Sequence, residues 1–332
     1  MPIVSVVVPC YNEEATIRLL LEGLNRQTFP RQDMEVIIAD GLSVDRTCQE
    51  IAGFQQEHPE LSVNIVRNDK RTIPSGLNRA IEAARGEFII RLDAHSVPYP
   101  DYIARCVSIL QEGQAEIVGG IWEIRPAGKG WIARSIAAAA AHPLGVGDAH
   151  YRYTDRARQA DTVPFGAFRR SLIARIGGFD ETLLTNEDYE FNVRVRKNQG
   201  VIWLDPSIRS TYFARSTLPA LARQYWRYGF WKGRMLRRYP ETLRWRQAIP
   251  PIFVLSLAGL GLLAFVSPLG RAALAAEILL YSAVLLLVST RLAYQKKDFA
   301  LAAGVPLAIA TMHIFWGAAI SWSFIRSIFT NR

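Results

Sequence analysis

The chain has 332 residues, 50% of them hydrophobic, and a formal net charge of +9, a length that holds one large domain or two. Its three cysteines, Cys10, Cys48 and Cys106, lie far apart with no CxxC or CxxH spacing, which excludes a disulfide scaffold and points to a reducing compartment. The positive charge does not mark a nucleic-acid binder: nine basic residues and one acid, Glu241, fall between Arg215 and Arg246, just ahead of an apolar tail, and no zinc-finger or RNA-recognition motif accompanies them.

Met1-Pro-Ile runs straight into a strand with no basic n-region, so no signal peptide is expected. Strands are predicted at Ile3–Val8, Glu35–Ala39, Leu61–Arg67 and Phe88–Leu92, alternating with helices at Glu13–Asn25, Asp45–Phe54 and Ser75–Ala84. Repeated strand–helix units with near-continuous apolar strands predict an α/β fold: a parallel sheet covered on both faces, with a nucleotide-sized crevice at the strand ends. Beyond Pro98 the pattern gives a helix over Asp101–Gln111, a strand over Glu116–Ile124, and an alanine-rich helix over Trp131–Ala141 that belongs either to a core or to a membrane surface. Gly145–Asp161 reads as a flexible polar loop, the kind that often forms a lid.

The tail carries three candidate spans, Ile249–Ser267, Ala272–Thr290 and Phe299–Ile325, each long enough to cross a bilayer. The first two flank Ser-Pro-Leu-Gly-Arg271 and are expected to form a hairpin. Lys296 and Lys297 fit a cytoplasmic loop. With a cytoplasmic N-terminal domain, three spans put Arg332 outside; Arg326 and Arg332 run against the charge rule there, so a re-entrant third segment is the alternative. Glu277 and His313 interrupt the apolar runs, and Glu277 is expected to reach the interface.

Four strand or helix junctions carry residue types suited to chemistry. At the first strand's exit, Tyr11 and Asn12 can stack on and bond a base, or Asn12 can simply cap the helix with the following Glu13 and Glu14 favoured by its dipole. At the second, the Asp40 carboxylate can accept the N–H of a uracil-type base, while Asp45 can equally cap a helix. At the fourth, Asp93 and His95 can converge on a divalent cation, Mn²⁺ or Mg²⁺, whose remaining positions a diphosphate and water would fill; the alternative is a cap and a hydrogen-bonded histidine. Glu187 or Asp188, before a helix over Tyr189–Lys197, can take a proton from an attacking hydroxyl, or serve only as helix N-terminal charge. Gln224-Tyr-Trp-Arg-Tyr228 sits on a basic, aromatic helix that either anchors at the membrane interface or closes a site over a diphosphate.

In order, the blocks SVVVPCYNEE, EVIIADGLSVD, GLNRAIEAARGEFIIRLDAH, GAFRRSLIARIGGFDE and NEDYEFNVR make residues 3–230 resemble the family 2 glycosyltransferases, inverting enzymes with the GT-A fold. The tail and the Gly145-Val-Gly loop look most like the membrane glucosyltransferases of bacterial exopolysaccharide synthesis, the succinoglycan type. The resemblance implies a GT-A domain over 1–230, a basic juxtamembrane segment over 231–248 and a membrane domain over 249–325. It implies that Pro9, Tyr11, Glu13, Asp40 and Asn78 line the donor pocket, that Asp93 and His95 take the place of the family's Asp-x-Asp metal motif, and that Asp188 is the base, with Glu187 beside it. Gln224, Arg227 and Tyr228 look like its Gln-x-x-Arg-Trp element. A UDP-sugar donor, a lipid-linked saccharide acceptor and a multi-pass position in the bacterial inner membrane, catalytic domain inward, follow as expectations. Two departures are visible, His95 where the family has Asp and Tyr228 where it has Trp; a processive synthase and a catalytically weak sugar-nucleotide-binding scaffold are the alternatives.

Overall fold

A computed structural model describes residues 1–329, so Arg332 lies outside the described residues. The apolar runs and helical spacings become β1 (Val4–Cys10), α1 (Ile17–Asn25), β2 (Met34–Asp40), α2 (Thr47–Glu57), β3 (Ser62–Arg67), α3 (Ile73–Ala83) and β4 (Phe88–Arg91). Next come β5 (Val97–Pro98), α4 (Tyr102–Gln111), β6 (Ile117–Pro126), α5 (Trp131–Ala140), α6 (Pro143–Val146), β7 (Arg158–Gln159), β8 (Ala167–Arg169), α7 (Ser171–Ile176), α8 (Glu187–Lys197) and β9 (Ile202–Ala214). The chain ends in α9 (Leu218–Arg238), α10 (Trp245–Val266), α11 (Pro268–Lys296) and α12 (Leu301–Phe329). Two compact units result. One comprises Met1–Glu123 with Tyr153–Tyr212; the other takes in Ile124–Arg152 and the chain from Phe213 onward.

The first unit is built on a sheet of order β3-β2-β1-β4-β8-β6-β9-β5, with β7 on β9. β1 runs parallel to β2 and β4, and β2 to β3, as the alternating pattern predicts. The sheet is not parallel throughout: β8 lies antiparallel to both β4 and β6. A three-residue strand inside GAFRRS leaves no periodicity to read, which is why the sequence does not announce it. Register pairs Cys10 with Asp40, Asp40 with Arg67, and Val7 with Arg91, so the carboxyl ends of all four parallel strands meet at one edge. Alternate residues of β1, β2 and β4 (Val6, Val36, Ile90) pack under α1, α2 and α4, while Val7, Ile37 and Ile89 are buried on the α3 side. The expected polar loop 145–161 is partly ordered: it holds a turn of α6, a 3₁₀ turn at His150–Arg152 and β7 paired to β9.

At the opposite end of the sheet a buried carboxylate is fully partnered. Glu35 accepts the Ser5 hydroxyl at 2.6 Å, the Arg85 N–H at 2.8 Å, and the Arg85 guanidinium at 3.0 and 2.8 Å. Burial alone would raise this carboxyl; the Ser5 and Arg85 bonds outweigh it and hold it below its ordinary value. The adjoining Gly86 donates to Ser5 Oγ at 2.8 Å, so close to the backbone that an added Cβ would lie 2.6 Å from Ser5 N.

The second unit is arranged around α12, which packs against α9, α5, α10 and α11. Backbones approach closely where residues are small: a Cβ on Gly229 of α9 would stand 2.5 Å from the Trp316 carbonyl oxygen. α5 has its alanines buried and packs on α12, resolving the alanine-rich segment as a core helix of this unit. Helices α10, α11 and α12, of 22, 29 and 29 residues, are long and apolar enough to cross a membrane. Ser267 caps α11 by accepting the Gly270 N–H, which makes the tight reversal between α10 and α11. α12 is one continuous helix through Pro306. Glu277 is bonded to Ser256 of α10 rather than directed to a span end, and His313 is held between the Tyr281 hydroxyl at 3.0 Å and the Leu144 carbonyl at 2.8 Å.

Gly86→Ala is expected to destabilise the first unit by about 3 kcal/mol through overpacking against backbone. Thermal melting in detergent should show the loss, whereas Gly113→Ala, with no atom within 4 Å of its Cβ, should show only the smaller strain of a positive φ.

Candidate active site

The exits of β1 and β2 are laced together before they offer anything to a ligand. Asn12, at φ 55°, accepts the Val44 N–H through Oδ1 at 2.9 Å and donates its own N–H to Ser43 Oγ at 2.9 Å. Glu13 N donates to Thr47 Oγ1 at 2.7 Å, and Glu14 N to Asp45 Oδ2 at 3.1 Å. Asn12 therefore pins one loop to the other and does not cap α1, which begins four residues later than predicted, after Thr16. Asp45 accepts the Thr47 N–H at 3.0 Å and so does anchor the start of α2. Beside this seam the Asp40 carboxylate, 7% exposed, accepts Ser43 N at 3.1 Å and Ser43 Oγ at 2.6 Å. Tyr11 is 43% exposed, with the Arg71 guanidinium 6.0 Å from its ring centre, and Gly41 lies against it. Pro9 packs beside Gly76 of α3. The result is an aromatic face next to a fixed carboxylate, suited to a base.

Past β4 the chain turns through Asp93 and His95, both partly open to solvent. His95 Nδ1 lies 3.0 Å from Glu13 Oε1, so Glu13 orients the imidazole as a carboxylate behind a metal-ligating histidine does. Among the described residues no three His, Cys, Asp or Glu side chains form a ready-made metal cage. The donor set nevertheless fits a divalent cation that completes its shell with ligand oxygens. A carboxylate and an imidazole suit Mn²⁺, and the nearby acids Glu187 and Asp188 leave the surrounding charge short of cations.

α8 brings Glu187 and Asp188 to the same edge. Arg194 holds the helix in place, donating to both Glu190 oxygens at 2.8 and 2.9 Å and to the carbonyls of Ile176 at 2.5 Å and Gly178 at 2.7 Å. Asn186, in the left-handed region at φ 69°, turns the chain into the helix. Glu187 is 4% exposed and bonded by Arg91 Nη2 at 2.9 Å; the same nitrogen lies 3.3 Å from Asp93 Oδ1. Asp188 is more exposed, and Tyr189 N donates to its Oδ1 at 2.7 Å. Burial raises the Glu187 carboxyl above its ordinary value. Arg91 pulls the other way, and repulsion from Asp188 and Asp93 adds to the rise. One guanidinium thus faces three carboxylates, an excess of negative charge at the edge where a cation would sit.

The remaining expected residues have partners of their own. Asn78 of α3 is committed to the loop after α7: its Oδ1 accepts Phe179 N at 2.8 Å, and its Nδ2 donates to Phe179 O at 2.9 Å and to Glu181 at 3.0 Å. Gln224, Arg227 and Tyr228 belong to the second unit, on α9, where Gln224 Nε2 donates to the Tyr228 hydroxyl at 2.9 Å and the Arg227 guanidinium lies 6.0 Å from the Tyr228 ring centre. Arg91 is not among the residues expected at the site; its signal in the sequence is a charge inside the apolar run FIIRLDAH.

Parallel strands delivering acidic side chains to one edge, followed by an antiparallel addition, constitute the mixed α/β sheet of a GT-A transferase domain. Residues 5–177, more than half of the chain, match the family described as glycosyl transferase family 2, and the chain belongs to that family. It is 29% identical over 273 residues to the dolichyl N-acetyl-alpha-D-glucosaminyl phosphate 3-beta-D-2,3-diacetamido-2,3-dideoxy-beta-D-glucuronosyltransferase of Methanococcus voltae, covering 80% of this chain and 84% of that protein. It is 29% identical over 248 residues to the succinoglycan biosynthesis protein ExoA of Rhizobium meliloti, covering 74% and 73%. Among solved structures, the mannosyltransferase PcManGT of Pyrobaculum calidifontis, in complex with GDP-Man and Mn²⁺, shares the fold with a TM-score of 0.58 at 22% identity, over 94% of this chain and 87% of that one. The chain spans only 47% of the length of S. aureus TarS, a further structural neighbour at TM-score 0.50 and 17% identity.

Asn78→Ala removes three hydrogen bonds that tie α3 to the loop ahead of α8. A loss of about 1–3 kcal/mol in stability is expected, read as a lower melting temperature, together with a fall in turnover as α8 loosens.

Proposed function

We propose that the chain is a membrane-bound, inverting glycosyltransferase that moves a hexose, glucose first, from a UDP-sugar to a hydroxyl of a lipid-linked glycan in exopolysaccharide synthesis. The observation that carries this reading is the meeting of Asp93 and the Glu187-Asp188 pair at one sheet edge, bridged by Arg91. Tyr11 would stack on the base, Asp40 would accept its N–H, and Pro9 would close the floor of the donor pocket. Asn78 would act indirectly, by holding the loop at Phe179. Asp93 and His95 would hold Mn²⁺ or Mg²⁺, which when bound neutralises a diphosphate leaving group as a Lewis acid.

Asp188 would accept the proton from the acceptor hydroxyl as that oxygen attacks the anomeric carbon from the face opposite the departing diphosphate. A single in-line displacement of this kind turns an α-linked donor into a β-glycoside. Exposure supports Asp188 over Glu187, since a carboxylate 4% exposed and bonded to Arg91 has no path to an acceptor. Gln224, Arg227 and Tyr228, which look like the family's Gln-x-x-Arg-Trp element, would contribute to donor binding through the Arg227 charge. Positioning and charge stabilisation would supply most of the rate. A lipid-linked acceptor is supported by the dolichyl phosphate in the name of the M. voltae relative and by the three apolar helices; the exopolysaccharide role is supported by the likeness to ExoA. The same reading takes 1–230 as catalytic, 231–248 as a basic juxtamembrane segment and 249–325 as the membrane domain, in a bacterial inner membrane with the catalytic part inward.

Detergent-solubilised protein with membrane lipid extract should release UDP from UDP-glucose in Mn²⁺ and not in EDTA. Asp188→Asn should lower turnover by roughly 10²–10⁴-fold with donor binding retained. Faster release from GDP-mannose than from any UDP-sugar would move the donor assignment to guanosine, and donor binding without turnover would leave a scaffold. For topology, an alkaline phosphatase fused after residue 329 should be active and a green fluorescent protein there dark; the reverse pattern would contradict three full spans.

A further inference from the structure

Arg91 is poorly explained as a device for stability. It occupies the end of a buried strand whose other residues, Phe88, Ile89 and Ile90, are apolar, and its own side chain is 7% exposed. A guanidinium placed to stabilise a core forks its donors onto facing acceptors. Here one nitrogen, Nη2, makes both ion-pair contacts, while Nε and Nη1 are buried with no hydrogen-bond partner among the described residues. A buried pair of this quality costs more in desolvation than a well-packed apolar pair would. What it delivers is placement, because the two carboxylates it joins come from elements 96 residues apart in sequence, β4 with its exit and the start of α8.

We propose that Arg91 is a positioning residue for glycosyl transfer: its Nη2 ties the Asp93 carboxylate on the donor side to Glu187 on the acceptor side. Glu187 is thereby reserved as the counter-ion of Arg91, and Asp188 alone is left facing the acceptor. The inference rests on the reading of Asp93 and Asp188 given above. It adds a link between the half of the site that holds the diphosphate and the half that takes the proton, which fixes their separation. No bond is made or broken at Arg91 itself. The guanidinium keeps its charge throughout, and the proton passes only from the acceptor oxygen to Asp188.

Four full-length, detergent-solubilised proteins test this: wild type, Arg91→Met, Glu187→Gln and the double variant Arg91→Met/Glu187→Gln. Three readouts are taken on each: melting temperature, Mn²⁺ binding in the presence of UDP by electron paramagnetic resonance, and kcat with KM for donor and acceptor. Arg91→Met alone should melt lower, because Glu187 is left buried without its partner. The double variant should melt near the wild type, yet bind Mn²⁺ with UDP about 10-fold more weakly and turn over about 100-fold more slowly. Glu187→Gln should keep Mn²⁺ and UDP affinity and lose no more than about 10-fold in kcat, far less than Asp188→Asn. A double variant with wild-type turnover and Mn²⁺ affinity would make the pair structural only and overturn the proposal. So would a Glu187→Gln loss as deep as that of Asp188→Asn, which would make Glu187 the proton acceptor. If the wild type releases no UDP from any UDP-sugar, the transfer reading fails, while the Mn²⁺ titration still decides whether Arg91 positions Asp93.

Discussion

Parallel register is the constraint on which everything else in the first unit depends. Because β1 pairs with β2 from Val4–Met34 to Cys10–Asp40, and with β4 from Val4–Phe88 to Val7–Arg91, four strands end at one edge. A slip of one residue would exchange the two faces of a strand, moving Val6 and Ile38 out of one core and Arg91 out of its pocket. β1, β2 and β4 are buried on both sides, so no such slip is tolerated in them. The edge therefore presents Tyr11, Asp40 and Asp93 in fixed relation, although nothing in their own chemistry brings them together.

The charges at that edge are less evenly matched than those around Glu35 and Glu190. Two buried carboxylates elsewhere in the unit are fully met: Glu35 takes four hydrogen bonds from Ser5 and Arg85, and Glu190 takes two from Arg194. At the edge, three carboxylates share one guanidinium that leaves two donors unpaired. Such local imbalance is characteristic of sites that complete themselves with a ligand. A bound cation would supply the missing positive charge.

The second unit follows different rules. Its helices meet α12 through small residues, Gly229 among them, and are joined by a few polar contacts, Ser256 with Glu277 and Tyr281 with His313. Long apolar surfaces on α10 and α11 remain exposed, as helices facing lipid require. His313 also reaches the Leu144 carbonyl, so the segment after α5 is tied to the helix at the middle of this unit. The Arg246–Asp148 pair at 3.4 Å fastens the same segment to the start of α10.

Much of this was legible in the chain alone, because strand and helix periodicity and membrane-length apolar runs are local properties. IVSVVV, EVIIA and FIIRL announce buried strands, and the acids that directly follow the second and third, Asp40 and Asp93, are thereby placed at the carboxyl edge of the sheet. The three tail helices follow from length and composition, with only their ends shifted. Four matters were decided by tertiary structure. β8 enters the sheet antiparallel through a three-residue strand too short to carry a period. Asn78 is spent on the backbone of Phe179, a partner 101 residues away. Glu187 and Asp188, adjacent and chemically alike, are separated only by which of them Arg91 buries. Arg91 itself reads in sequence as an oddity within a strand; its meaning comes from two carboxylates that folding alone brings within reach, since pairings over long sequence separation leave no trace in the local pattern from which a sequence is read.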